Sequence, residues 1–412
     1  MPRRAIAALR ATFRRLVRAD AADLRQGLAA LLISSVGDLI AGITLGSITG
    51  TLERLPGLLV LVPAAIGMRG NIFGALGSRL STTIHTGQFS LTRRRDTVVG
   101  QNLGAALALS LATSLALGVL AKLVALAFNV PDTIHVAQFV VISVLGGMLS
   151  SLVVLAVTVA VAVLSVRRNW DLDNVSSPIV TAVGDMVTLP SLFLASFVVE
   201  LGWVTGALAA TCTALGLVSG VLSWRSRLLT LRRIVRESAP VLLAAGVVDI
   251  VAGITIEKRL ESFGVYTALL VLIPPFLEDS GALGSILSSR VATKLHLGVV
   301  EVDGLRIRGV RDDVVLVFLF AAPVFLLVGT LANVAAALTG RTSPGFGSMI
   351  GVAMIGGLFA TISAVVVALA SAVVAHRLEL DPDNFGVPVV TSSLDLLGAF
   401  SLILAMVILG LA

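Results

Sequence analysis

The sequence is poor in charged residues. Only 13% of its 412 residues are charged, against about a quarter in a typical soluble domain, and 57% are hydrophobic. This composition excludes a water-soluble globular fold and indicates a protein with many membrane-spanning segments. The formal net charge of +6 comes from basic residues in short runs between apolar stretches, so we attribute it to membrane topology and expect no nucleic-acid partner.

Cysteine and aromatic residues are also scarce. The single cysteine, Cys212, excludes an internal disulfide and a thiolate metal cluster. One tyrosine and three tryptophans are too few for aromatic belts at both membrane interfaces, so the orientation must be inferred from charge.

Apolar stretches of the roughly 20 residues needed to cross a bilayer occur eleven times. They lie near 27–48, 55–86, 98–128, 136–166, 176–200, 203–224, 239–257, 264–297, 311–339, 346–376 and 385–411. The sequence therefore predicts an all-α polytopic membrane protein of eleven spans. Residues 1–25 carry seven arginines with apolar residues at helical spacing, which is typical of an interfacial amphipathic leader and not of a cleavable signal peptide.

The connectors differ strongly in basic residues between the two sides of the membrane. Those on the side of the N-terminus hold 21 Lys and Arg residues, and those on the opposite side hold 4. By the positive-inside rule we expect a multi-pass protein of the cell membrane with a cytoplasmic N-terminus and an extracytoplasmic C-terminus.

The chain contains an internal repeat. A shift of 211 residues aligns 35–87 with 246–298 without a gap and with 18 identities, and a shift of 210 aligns the string D-x-D-N-x-x-x-P-x-V-T-x-x-x-D at 171–185 with that at 381–395. We predict two parallel five-helix repeats, 26–201 and 238–412, joined through a linking helix and a basic cytoplasmic segment at 202–237. A pathway on the pseudo-twofold axis between them is the expected place for function.

Four aspartates recur within the apolar spans: Asp38 with Asp249, and Asp185 with Asp395. Each costs about 2.5–3.5 kcal/mol on insertion scales, so they are expected to face water, a partner or an ion. The neighbouring side chains supply oxygen ligands, and no Cys or mid-membrane His recurs with them; these neighbours are Asn174, Asn384, Thr181 and Thr391. An oxygen-rich acidic site suits Mg²⁺ or Ca²⁺ better than Zn²⁺ or Cu⁺.

At these residues the sequence resembles the MgtE-type magnesium transporters, and most closely their tandem-repeat relatives, solute carrier family 41. The motifs are P-x-x-x-G-x-x-G-N at 63–71 with the S-R-L-S-T-x-x-H-x-G that follows it, and the acidic string that ends at Asp395. The resemblance implies Mg²⁺ as the transported ion and a cation pore lined by Asp185 and Asp395. Because about 25 residues precede the first span, we expect no cytoplasmic magnesium-sensing domain.

The second half departs from the first motif. It has Glu278 and Asp279 where the first half has Gly67 and Met68. These two acids are either further cation ligands or partners of Arg69 across the pseudo-axis.

Two other classes of membrane protein also carry acids within their spans. A proton- or sodium-coupled carrier for another solute could use the same acids as a proton relay. The Gly-Asp pairs at Asp38 and Asp185 resemble those of intramembrane aspartyl proteases, but the preceding glycine of G-x-G-D is missing and the acids recur in both halves. We therefore expect a transporter and not an enzyme. Since both halves are fused, one chain is expected to hold a complete pore and to act as a monomer in the bilayer.

Overall fold

The computed structural model describes residues 21–90, 94, 96–168, 172–199, 203–303, 306–378 and 385–411. The first half contains α1 (Ala21–Ser47), α2 (Thr49–Arg54), α3 (Leu58–His85), α4 (Val98–Ala127), α5 (Val136–Arg168) and α6 (Leu172–Val199). After α7 (Trp203–Trp224), the second half contains α8 (Leu229–Glu257), α9 (Leu260–Val265), α10 (Ala268–His296), α11 (Arg311–Leu338), α12 (Phe346–Arg377) and α13 (Val387–Ile408).

Eleven of these helices are long and apolar enough to cross a membrane, which confirms the predicted number of spans. The other two, α2 and α9, are six residues long and occupy equivalent places in the two halves. Every helix from α1 to α6 thus has a counterpart from α8 to α13, and α7 is the unmatched linking helix. The proposed amphipathic leader lies mostly outside the described residues, apart from the first turn of α1.

The two halves interlock through their first and second long helices. Helix α1 packs against α10 of the other half, and α8 packs against α3. The closest approaches are equivalent: a Cβ added at Gly42 would overlap the carbonyl oxygen of Val271, and one added at Gly253 would overlap that of Val60. Only glycine lets these backbones approach so closely. Helices α3 and α10, the most buried of the eleven, therefore form the centre of the molecule.

Two features differ from the sequence prediction. Helix α8 begins at Leu229, ten residues before the predicted apolar span, because the side-chain oxygen of Gln101 accepts hydrogen bonds from the backbone N–H groups of Thr230 and Leu231. These groups have no partner within their own helix, so the contact stabilises an early start. A small antiparallel hairpin, β1 (Glu301–Asp303) and β2 (Arg306–Arg308), also interrupts the otherwise helical fold between α10 and α11.

A buried carboxylate cluster between the two halves

The four repeated aspartates lie on four different helices and are all buried. Asp38 on α1 and Asp249 on α8 are fully inaccessible, Asp185 on α6 is 1% exposed, and Asp395 on α13 is 6% exposed. The interlocked packing of α1 and α8 brings these helices to the junction of the two halves. The acids that the repeat pointed to are therefore in the interior of the bundle and not on its lipid-facing surface.

The aspartates form one close pair in each half. The carboxyl group of Asp38 interacts directly with that of Asp185, and the carboxyl group of Asp249 interacts directly with that of Asp395. Both carboxyl oxygens of Asp38, of Asp185 and of Asp249 lack a hydrogen-bond donor with good geometry among the described residues. Two ionised carboxylates about 4 Å apart repel by about 4 kcal/mol at an effective dielectric of 20, so each pair requires a proton or a cation.

Glu278 on α10 lies between the two pairs. Its carboxyl group interacts electrostatically with Asp38 and Asp185 of the first half and with Asp249 and Asp395 of the second. At the equivalent position of the first half, a Cβ added to Gly67 would lie 3.3 Å from Oδ2 of Asp249 and 3.5 Å from Oδ2 of Asp395. The two halves thus present unequal surfaces to the cluster, with a carboxylate on one side and, on the other, a glycine whose backbone lies close to Asp249 and Asp395.

Asp279 has a different environment. It accepts hydrogen bonds at 3.0 and 2.8 Å from the hydroxyl of Ser35 on α1. Its counterpart in the first half is Met68, whose terminal methyl lies close to Gly246, the counterpart of Ser35. The same contact between halves is therefore polar in one copy and apolar in the other.

The alternative in which Arg69 pairs with Glu278 or Asp279 is wrong. The fully buried guanidinium group of Arg69 points to α4 and α5, where it donates hydrogen bonds to the hydroxyls of Ser114 at 2.8 Å and Ser150 at 3.2 Å. Gly147 of α5 leaves the room for this arrangement, since a side chain there would overlap Arg69. Among the described residues, no ion pair joins Lys or Arg to any of the six acids.

A small cavity lies beside the cluster, at the junction of α3 and α10. Its volume is about 20 Å³, room for about one water molecule. Glu278 and Asp395 line it together with three pairs of residues that are equivalent in the repeat: Val62 and Ile273, Pro63 and Pro274, and Ile66 and Leu277. Because its walls come in equivalent pairs, this cavity is centred where the pseudo-axis passes between the halves.

The remaining predicted ligands are less closely connected to the cluster. The hydroxyl of Thr391 donates to the carbonyl of Val387 in its own helix, and its methyl group faces Gly281. The methyl group of Thr181 similarly lies near Gly70. Asn384 and the side chain of Asn174 lie outside the described residues.

Sequence reasoning missed the polar groups that accompany the acids. Ser35 contacts Asp279, and Ser392 lies beside Asp249. Neither serine recurs in the repeat, since Gly246 and Ala182 occupy the equivalent positions, so a search for repeated polar residues does not find them.

Fold and site together define a duplicated multi-pass membrane protein with an uncompensated carboxylate cluster at its centre. The chain belongs to the MgtE family of divalent cation transporters, whose family model matches residues 62–195 and 273–405. The match occurs once in each half, which confirms the duplication, and it places the protein among transporters and not among enzymes.

Individual relatives are more distant. Solute carrier family 41 member 3 of Rattus norvegicus is 24% identical over 277 residues, which cover 65% of this chain and 59% of that protein. Solute carrier family 41 member 2 of Xenopus laevis is 24% identical over 292 residues, which cover 66% of this chain and 49% of that protein. Solute carrier family 41 member 2 of Homo sapiens is 25% identical over 292 residues, which cover 66% of this chain and 48% of that protein. The chain spans about half the length of these relatives. No solved structure matches it significantly.

Proposed function

We propose that the chain transports Mg²⁺ across the membrane through a pathway between its two halves, lined by the paired aspartates. The observation that carries this proposal is the convergence of six carboxyl groups, five of them buried and that of Glu278 half-buried, without a basic partner among the described residues. Buried carboxylates of this kind are costly in a membrane protein and mark ion pathways. The family gives the class of cargo as divalent cations.

The chemistry of the cluster favours a hard cation. All its ligands are oxygens, which suit Mg²⁺ and Ca²⁺. In the described part of the chain, no three His, Cys, Asp or Glu side chains are arranged to hold one metal ion directly. A hydrated ion bound through its water shell needs no such arrangement, and Mg²⁺ is the cation that gives up its water most reluctantly.

The arrangement of α3 and α10 corresponds to a closed pathway. The cavity between these helices measures about 20 Å³, enough for about one water molecule, whereas the six water molecules around Mg²⁺ would need about 60–90 Å³ by the same measure. Passage of the hydrated ion therefore requires the two halves to separate along the α3–α10 junction.

We assign the halves to residues 26–201 and 238–412, with 202–237 as the link between them.

The proposal predicts that one chain contains the whole pathway, so a single substitution disables it. Replacing Asp395 with Asn should reduce Mg²⁺ uptake into proteoliposomes at least tenfold, because the change keeps the size of the side chain and removes the charge that a divalent ion requires. Uptake is measured with an internal Mg²⁺-sensitive dye. The matched control is Asp312→Asn, the same change at a partly exposed position at the start of α11.

Full uptake by the Asp395→Asn variant would place the pathway elsewhere. Repeating the assay with and without a Na⁺ or proton gradient tests the coupled-carrier alternative. Absence of Mg²⁺ flux under every gradient, with another solute moved instead, would favour that alternative.

We further propose that the N-terminus is cytoplasmic. The chain crosses the membrane through α8 between Arg227 and Arg259, both exposed and both in connectors. In a Cys212→Ser background, a cysteine at position 227 should be protected from an impermeant maleimide added to intact cells, and one at position 259 should be labelled. The reverse pattern would invert the topology, and labelling of both positions would contradict the assignment of α8 as a crossing.

A further inference from the structure

A groove on the surface of the bundle lies between α4, α7 and α8, away from the carboxylate cluster. Its volume is about 410 Å³, within the range of about 300–1,000 Å³ that is common for ligand pockets. The floor runs along α4 from Ala108 to Ala116, about 12 Å of helix. Val221 of α7 and Leu243 of α8, both more than a third exposed, form its sides. The groove is thus an apolar slot open to the membrane.

The groove exists because the linking helix is packed on one side only. Helix α7 contacts α4 closely at Gly216, where an added Cβ would lie 2.7 Å from Leu115. Its contact with α8, the next helix of the chain, is slight by comparison. Since α7 has no counterpart in the second half, the repeat does not create an equivalent groove there.

One end of the groove is strongly basic. Trp224 and Arg225 close it at the connector between α7 and α8. The guanidinium group of Arg236 lies 5.6 Å from the centroid of the Trp224 ring and donates a hydrogen bond to the Trp224 carbonyl oxygen at 3.2 Å. Residues 225–237 contain five arginines and one acid, Glu237, and that acid is paired with Arg233 at 2.9 Å. This end of the groove therefore carries a net positive charge.

We propose that this groove binds an anionic phospholipid, with an acyl chain on the floor of α4 and the phosphate beside Arg225 and Arg236. An apolar slot that ends in arginines at the membrane interface matches an amphiphile with an anionic head, and basic pockets between membrane helices are known sites for such head groups. Arginine binds phosphate oxygens through paired N–H donors. The bound lipid fills the gap between α7 and α8 and so joins the linking helix to the helix that carries Asp249.

Native mass spectrometry of the detergent-solubilised protein tests the proposal, with phosphatidylglycerol and phosphatidylcholine as probes. We expect one phosphatidylglycerol to be retained per chain, in preference to phosphatidylcholine. Each arginine near an anionic head group contributes about fivefold in affinity, so the double variant Arg225→Gln/Arg236→Gln should bind about 30-fold more weakly. Arg311→Gln, an exposed arginine at the start of α11 on the same side of the membrane, is the control and should bind normally.

The position of the lipid is tested separately. In a Trp170→Phe/Trp203→Phe background, phosphatidylglycerol with brominated acyl chains should quench Trp224 in a saturable manner. Ala112→Phe fills the floor of the groove and Val221→Phe narrows its side, so each variant should lose the saturable quenching of Trp224. Thermal unfolding shows which of the two variants is folded and can be compared with the parent.

Three results would overturn the proposal. They are equal retention of the two lipids, unchanged binding by the double arginine variant, and a dimer whose formation depends on Ala112, which would assign the groove to a second copy of the chain.

Discussion

Replacing Asp185 and Asp395 together with asparagine should abolish the stabilisation of the protein by Mg²⁺. A ligand that binds only the folded state adds RT ln(1 + [L]/Kd) to the free energy of unfolding, about 2.7 kcal/mol when its concentration is 100 times Kd. The double variant loses one carboxylate from each buried pair and with them the charge that holds the ion. Without Mg²⁺, the same variant should be at least as stable as the parent, because the repulsion within each pair is gone. A thermal unfolding titration with MgCl₂ measures both effects.

The control for this experiment is the double variant Asp96→Asn/Asp312→Asn, which makes the same change of charge at two residues outside the cluster. It should retain the full response to Mg²⁺. If the Asp185/Asp395 variant responded to Mg²⁺ like the parent, the assignment of these two residues would be wrong, and Glu278 and Asp279 would become the next residues to replace.

Replacing Gly42 and Gly253 together with alanine should separate the two halves and strongly destabilise the protein. In each half, the added methyl group would overlap a backbone carbonyl oxygen of the opposite half, at Val271 and at Val60. Backbone atoms cannot move aside by a change of rotamer, so α1 must shift from α10 and α8 from α3. Overpacking costs about 1–3 kcal/mol at each site, and the two sites are expected to act together because they close the same interface.

Unfolding of the purified protein, followed by circular dichroism, measures this effect. Gly74→Ala is the matched control, since Gly74 lies in α3 and an added Cβ would have no neighbour within 4 Å. That change should be neutral or stabilising by up to about 1 kcal/mol, because alanine favours a helix more than glycine does. Normal stability of the double variant, with Mg²⁺ transport intact, would contradict the interlocked arrangement of the halves.

Much of the architecture was predictable because its causes act locally along the chain. A segment either has or lacks the roughly 20 apolar residues that span hydrocarbon, so the eleven crossings could be counted from the sequence. The duplication was visible because identical residues recur at a separation of 211 or 210 positions. It indicated that α7 is the helix without a counterpart. The aspartates stood out because an acid in an apolar span is costly wherever the helix packs.

The side chains that contact these acids could not be predicted, because an alignment of the two repeats does not show which helices pack against each other. Asp185 and Asp395 were expected to line the pore, and the sequence did not indicate that each carboxyl group also interacts directly with the first-helix aspartate of its own half, 147 and 146 residues away in the chain. Arg69 was a possible partner of Glu278 until the packing of α3 against α4 and α5 placed its guanidinium group among serines.

The amino-acid sequence by itself determined the membrane class, the number of crossings, the repeat and the six acids of the cluster. Each of these follows from the composition of a single segment or from a comparison of two. The tertiary structure alone decided the pairing of Asp38 with Asp185, the position of Glu278 between the pairs and the slot beside α7. These features depend on how closely backbones approach at sites such as Gly42 and Gly253, which is a property of helix packing and not of any one segment.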